Sequence, residues 1–132
     1  MVNNASQGGV EMIIGIGIDL IEIERVLKAC EKKRFIEKYY TEKERELIKA
    51  DSLKAASNFA VKEAISKMLG TGFRGFSPID IEVLRDEKGK PYTNLFGQAK
   101  LLAEKQEITR VHVSITNTKK YVNAFVVGEN HI

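Results

Sequence analysis

An α+β fold with a mostly antiparallel sheet is predicted by three observations on this 132-residue chain. An apolar run, Met12-Ile-Ile-Gly-Ile-Gly-Ile18, reads as a strand; helical spacing follows from residue 20 to residue 69; two alternating hairpin patterns separated by a short helix fill the rest. The strand spans 12–18. Leu20, Ile23, Val26, Leu27 and Cys30 then recur at helical intervals, which predicts a first helix over 20–33. Thr41-Glu-Lys-Glu44 has the spacing of a capping box and opens a short helix ending near Ala50. Asp51 or Ser52 can cap the next and longest helix, over 53–69, whose core arc is Val61, Ala64, Ile65, Met68 and Leu69. Gly70 and Gly72 supply permissive backbone where that helix stops. After a loop to Pro78, Ile79, Ile81 and Val83 alternate with Asp80, Glu82 and Leu84. Asp86-Glu-Lys-Gly89 turns the chain, and 90–95 returns as the partner strand. A helix over 97–105 leads to a last hairpin, 110–116 with 121–127, turned at Asn117-Thr-Lys-Lys120.

A composition of 43% hydrophobic and 30% charged residues fits one soluble domain over 12–132, preceded by a polar, Gly-rich leader over 1–11 to which no function is assigned. One cysteine, Cys30, and two histidines, His112 and His131, cannot assemble a zinc site within one chain, so a metal here is expected to be hard and oxygen-bound. No window approaches the ~18 apolar residues of a membrane span, and the expected location is a reducing cytoplasm. Nucleic-acid binding is disfavoured: 21 basic residues nearly balance 18 acidic ones, Trp is absent, and the basic residues are not interleaved with stacking aromatics.

Two carboxylates stand in awkward places. Asp19 closes a run read as a buried strand, where its charge needs a cation or several donors to offset desolvation. Glu63 lies off the core arc of the 53–69 helix, four residues before Lys67, the favourable order for an exposed pair of about 0.2–0.5 kcal/mol. Phe59 shares that side of the helix, however, and a partly covered carboxylate reads equally as functional. Gly70-Thr-Gly72 is either a simple C-cap or a place where backbone approaches a ligand. Within 25–34, Arg25, Lys28, Lys32, Lys33 and Arg34 face the single acid Glu31, either a solvated surface or a steering patch.

These residues fall into an ordered set of motifs: Gly15-Ile-Gly-Ile-Asp19 with Ile23 and Arg25; Phe59, Ala60, Lys62, Glu63, Ala64, Lys67 and Leu69-Gly-Thr-Gly72; Asp80-Ile-Glu-Val83; Gly89-Lys-Pro91; and Val113-Ser-Ile115. In that order, over residues 12 to about 127, the chain resembles the bacterial holo-[acyl-carrier-protein] synthases, the small trimeric type of 4′-phosphopantetheinyl transferase. The resemblance implies transfer of the phosphopantetheine arm of coenzyme A to a serine of an apo acyl carrier protein, releasing adenosine 3′,5′-bisphosphate. Because the nucleophile belongs to the partner, the enzyme need only position two substrates and neutralise charge. By the same resemblance, Asp19 and Glu63 hold Mg²⁺, which prefers one or two carboxylates and takes further ligands from water and phosphate. Lys67 places a cation where charge builds. Glu63 or a metal-bound water takes the serine proton. Gly70, Thr71, Gly72, Lys90, Pro91, Ser114 and Thr116 match stretches that line the coenzyme pocket, partly across a subunit boundary of a homotrimer. The basic run, Arg25 to Arg34, matches a docking surface for acidic carrier proteins, an encounter that salt would weaken.

Three positions depart from the pattern. Asn58 stands where relatives commonly carry Arg, Asn117 where they carry His, and Val61 where they carry Ala. The first two take a cation and an imidazole from the expected coenzyme site, leaving more of the phosphate chemistry to Asp19, Glu63 and Lys67. Asparagine donates hydrogen bonds but shuttles no proton. His112, two residues before Ser114 on the same strand face, reads as a core or edge histidine before a substitute catalyst. The alternative function is a coenzyme A- or metal-binding homologue that has lost transfer through these changes.

Overall fold

The computed structural model describes residues 12–131; the leader expected over 1–11 lies outside the described residues. The elements are β1 (Met12–Glu22), α1 (Ile23–Ala29), α2 (Lys33–Tyr39), α3 (Glu42–Ala50), α4 (Leu53–Met68), a 3₁₀ turn (Pro78–Asp80), β2 (Ile81–Arg85), β3 (Pro91–Leu95), α5 (Gly97–Lys105), β4 (Arg110–Asn117) and β5 (Tyr121–Asn130). β1, β5 and β4 form an antiparallel sheet in that order, while β2 and β3 pair as a separate hairpin. The α+β class expected from the sequence is the one observed.

Helix α4 lies against β1 and β5 and supplies much of the core. Val61, Ala64, Ile65, Met68 and Leu69 are all buried, as the spacing predicts, and so are Ala55, Ala56 and Ala60. Its other side is covered too: Asn58, Lys62 and Ser66 are buried where α3, the 3₁₀ turn and β2 close over them. The capping box forms as expected, with Thr41 Oγ1 accepting from the Glu44 amide and Glu44 Oε1 accepting from the Thr41 amide. The Asp86–Gly89 turn closes through the Gly89 amide on the Asp86 carbonyl, with Gly89 at φ 84°.

Three expectations are corrected. The strand does not end at Ile18 but continues to Glu22, because each residue through Glu22 finds a partner on β5, ending with Glu22 opposite Tyr121. Leu20 therefore lies on an exposed strand face rather than on a helix. The helix expected over 20–33 is only α1, ended at Cys30–Lys32, and a second helix that the spacing did not show begins at Lys33. The second, α2, swings Phe35 and Tyr39 onto Phe59, with ring centroids 6.1 Å and 5.3 Å from it. Finally, β1 is an edge strand buried on one face only. Ile13, Ile16, Ile18 and Leu20 are each more than half exposed on the other.

Candidate active site

The alternation of β1 sets the site. Gly15, Gly17, Asp19 and Ile21 point toward α4, and Ile16, Ile18 and Leu20 point away. The two glycines let helix and strand touch backbone to backbone: a Cβ at Gly17 would overlap the Ala64 carbonyl oxygen, and one at Gly15 would meet the Met68 carbonyl oxygen. That contact brings Asp19 beside the turn of α4 carrying Glu63 and Lys67.

Lys67 Nζ donates to Asp19 Oδ1 and to the Ile18 carbonyl, each at 3.0 Å. The exposed Glu63–Lys67 pair read from the sequence is thus replaced by a Lys67–Asp19 pair, in which the Asp19 side chain is only 15% exposed. Asp19 Oδ2 is buried and has no hydrogen-bond partner among the described residues. Glu63 is half-buried, and among the described residues its carboxylate makes no side-chain hydrogen bond. Burial, and then the Asp19 charge, raise its proton affinity above that of an ordinary glutamate; Lys67 opposes them. Tyr39 stands close enough that, after burial, the Glu63 charge also raises its phenol. Tyr39 stacks on Phe59, their centroids 5.3 Å apart, on the helix side that Phe59 shares with Glu63.

A stability consequence follows with a definite sign. A carboxyl that holds its proton more tightly folded than unfolded stabilises the fold below the unfolded value, and this is lost as pH rises through the folded value. In metal-free protein, Glu63→Gln is therefore expected to raise Tm at pH 7 and to lose that advantage below about pH 4. Thermal melts of both proteins in a chelator, across pH, check this; a variant less stable at pH 7 would contradict it.

Gly70, Thr71 and Gly72 follow the end of α4 within a turn or so of Lys67, with Gly70 at φ 79° and Gly72 at φ 60°. Lys90 and Pro91 sit at the β2–β3 turn. Ser114 and Thr116 are different: they share rows with Ile18 and Leu20, whereas Asp19 shares a row with Ala124 and Ile115. They occupy the opposite face of the sheet, so one copy of the chain does not join them to Asp19. Arg25, Lys28, Lys32, Lys33 and Arg34 are exposed along α1, the connecting turn and the start of α2. A cavity of about 190 Å³ opens between Arg25, Val26, Ala29, Phe35, Tyr39 and Phe59, on the Glu63 side of this basic run.

The departures resolve unequally. Asn58 does not stand at the surface where a coenzyme phosphate would meet it; it is fully buried and donates to Glu44 Oε2 and the Val83 carbonyl, both at 2.9 Å. Val61 is core packing. Asn117 is exposed at the end of β4 and donates to the Thr118 carbonyl. His112 is exposed on the same outer face as Ser114, 2.8 Å from Glu129, an edge histidine rather than a core one. What sequence reasoning missed is the buried pair of Lys62 with Glu44 at 2.8 Å. Its only signal was a lysine following directly on the apolar Phe59-Ala-Val61.

A helix laid on two strand glycines brings two carboxylates and a lysine to one contact. Residues 15–126 match the family described as the 4′-phosphopantetheinyl transferase superfamily, and the chain belongs to it. Over 118 residues it is 62% identical to the holo-[acyl-carrier-protein] synthase of Lachnoclostridium phytofermentans, covering 89% of this chain and 97% of that one. Among solved structures it resembles a Bacillus anthracis holo-(acyl-carrier-protein) synthase in complex with CoA (3′,5′-ADP), at 39% identity, TM-score 0.74 and 90% and 98% coverage. It also resembles Helicobacter pylori holo-[acyl-carrier-protein] synthase in complex with coenzyme A, at 32% identity, TM-score 0.75 and 86% and 98% coverage. The chain is an enzyme of this transferase class. No helix among the described residues is long and apolar enough to cross a membrane.

Proposed function

We propose that the protein transfers 4′-phosphopantetheine from coenzyme A to a serine of an apo acyl carrier protein, with Mg²⁺ held by Asp19 and Glu63. The observation that carries this reading is the β1–α4 contact, which leaves Asp19 Oδ2 buried without a partner and sets Glu63 beside it with its proton affinity raised. Two under-compensated carboxylates suit a hard divalent cation. Among the described residues no third His, Cys, Asp or Glu joins them, which leaves the remaining positions to water and substrate oxygens. Bound there, Mg²⁺ neutralises the pyrophosphate of the coenzyme.

The chain's own groups do the rest. The serine oxygen of the carrier forms a bond to the phosphorus bearing pantetheine, and the bond from that phosphorus to the bridging oxygen breaks, releasing adenosine 3′,5′-bisphosphate. Lys67, 55% exposed, offers its ammonium to the oxygen on which charge builds. Glu63, or a water beside it, would accept the serine proton. Gly70 and Gly72, at positive φ, leave the backbone of the loop open to the coenzyme. The basic run on α1 and α2 attracts the acidic carrier.

The chain works as a homotrimer with sites between copies. Ser114 and Thr116 lie across the sheet from Asp19, and their face also carries Ile16, Ile18, Leu20 and Phe125, all at least 40% exposed in one copy. A neighbouring copy seated on this face would bring its own metal side to Ser114 and Thr116. The deciding experiment incubates the protein with coenzyme A, Mg²⁺ and an apo carrier protein and follows the carrier by mass spectrometry. Gain of one phosphopantetheine, abolished by a chelator and restored by Mg²⁺, is expected. Coenzyme binding with no mass gain would favour the homologue that has lost transfer.

A further inference from the structure

We propose that the buried Glu44–Lys62 pair is a positioning device: it clamps the 70–78 loop and the β2–β3 hairpin against α4 and so sets the affinity for the coenzyme, resting on the transferase reading above. Both side chains are fully buried. Lys62 Nζ spends its three protons on Glu44 Oε1 at 2.8 Å, the Pro78 carbonyl at 3.0 Å and the Ile81 carbonyl. Glu44 in turn accepts from the Thr41 amide, the Val83 amide and Asn58 Nδ2. Thr41 Oγ1 carries the connection to Glu82, which Asn94 of β3 also meets. α3, α4, the 3₁₀ turn and both hairpin strands therefore converge on one ion pair.

Stability alone does not account for it. A buried ion pair repays its desolvation so incompletely that apolar residues of equal volume hold a core as well or better. What the pair adds is geometry. The loop between α4 and the 3₁₀ turn has no regular structure, and Gly70, Gly72 and Gly75 sit at positive φ. Its entry is held by the Gly72 amide on the Ser66 carbonyl and by Gln106 on the Leu69 carbonyl. Its exit is held by Lys62 on the Pro78 carbonyl. Loop and hairpin carry Thr71, Lys90 and Pro91, and Lys62 directly precedes Glu63. One residue thus ties the coenzyme-facing segments to the helix turn that presents the metal carboxylate.

The test compares wild type with the double variant Glu44→Gln/Lys62→Met, which removes both charges yet leaves an acceptor for Val83 and Asn58. Lys54→Met, which removes the partly exposed ion pair with Asp51 at the start of the same helix, is the control. Hydrogen exchange of the 70–77 amides, coenzyme A affinity by calorimetry and both KM values are read on protein that melts cooperatively. Exchange is expected to quicken about tenfold or more, with coenzyme KM rising about tenfold and carrier KM within about twofold. A folded double variant with wild-type loop exchange, or with faster exchange but unchanged coenzyme affinity, overturns the proposal. If the double variant does not fold, Asn58→Ala carries the same comparison with a shift of about threefold expected in the same quantities, and no shift there overturns it. Wild type that binds no coenzyme A would instead sink the transferase reading, while the exchange data still report on the clamp.

Discussion

Glu63→Gln is expected to reduce phosphopantetheine transfer by about three orders of magnitude, with the fold intact. Glutamine keeps the shape but supplies neither the charge for a divalent cation nor a site for the serine proton. Because the glutamate is under-compensated in the metal-free protein, the variant should be more stable at neutral pH, not less, so lost activity cannot be blamed on unfolding. Mass spectrometry of the carrier gives the rate, and Mn²⁺ titration followed by electron paramagnetic resonance gives metal affinity. A variant that binds metal and transfers at wild-type rate would remove Glu63 from both roles. Asp19→Asn should act in the same direction, but it also strips Lys67 of its partner, so its stability effect is not separable in advance.

The second large effect is steric. Gly17→Ala should cost about 1–3 kcal/mol or more, because the new methyl meets the Ala64 carbonyl and Met68 amide, which are helix backbone and cannot turn aside. For a domain of this size that is roughly a 4–15 °C fall in Tm. The strand and helix must separate, and the separation falls on Asp19, Glu63 and Lys67, so transfer should drop in the folded fraction as well. Gly75→Ala has open space around it and strains only its own φ of 89°; it should cost about 1 kcal/mol and spare the site geometry. Calorimetry and transfer assays on both variants decide the point. A Gly17→Ala protein with wild-type Tm would show that the contact is softer than described.

Where local pattern and local energetics agree, the sequence was legible. The Thr41–Glu44 capping box, the Asp86–Gly89 turn, both hairpins and the apolar arc of α4 are set by neighbours within a few residues, and all are found. The first helix failed because Leu20, Ile23 and Val26 suit a helix in isolation, whereas β5, a hundred residues away, offers Leu20 to Glu22 a ladder. α2 was missed for lack of a cap, since Lys32 makes no side-chain cap bond. Asp19 stood out as an acid needing a cation or several donors, but Lys67 as its partner depends on a strand–helix crossing that no spacing encodes. The buried Lys62 and Asn58 were illegible for the same reason: polar residues on a helix read as solvent-facing until α3 and β2 close over them.

From Gly15 onward, past the register shift that follows Ile13, β1 serves two constituencies by parity. Gly15, Gly17 and Asp19 answer to the chemistry, while Ile16, Ile18 and Leu20 answer to the sheet's outer face. The Ile18 carbonyl, which also holds Lys67, belongs to both. A single-residue insertion or deletion in this strand would therefore not merely weaken one property but exchange the two sets, turning the isoleucines inward and the aspartate outward. Substitutions along this strand keep the arrangement only where they respect that parity.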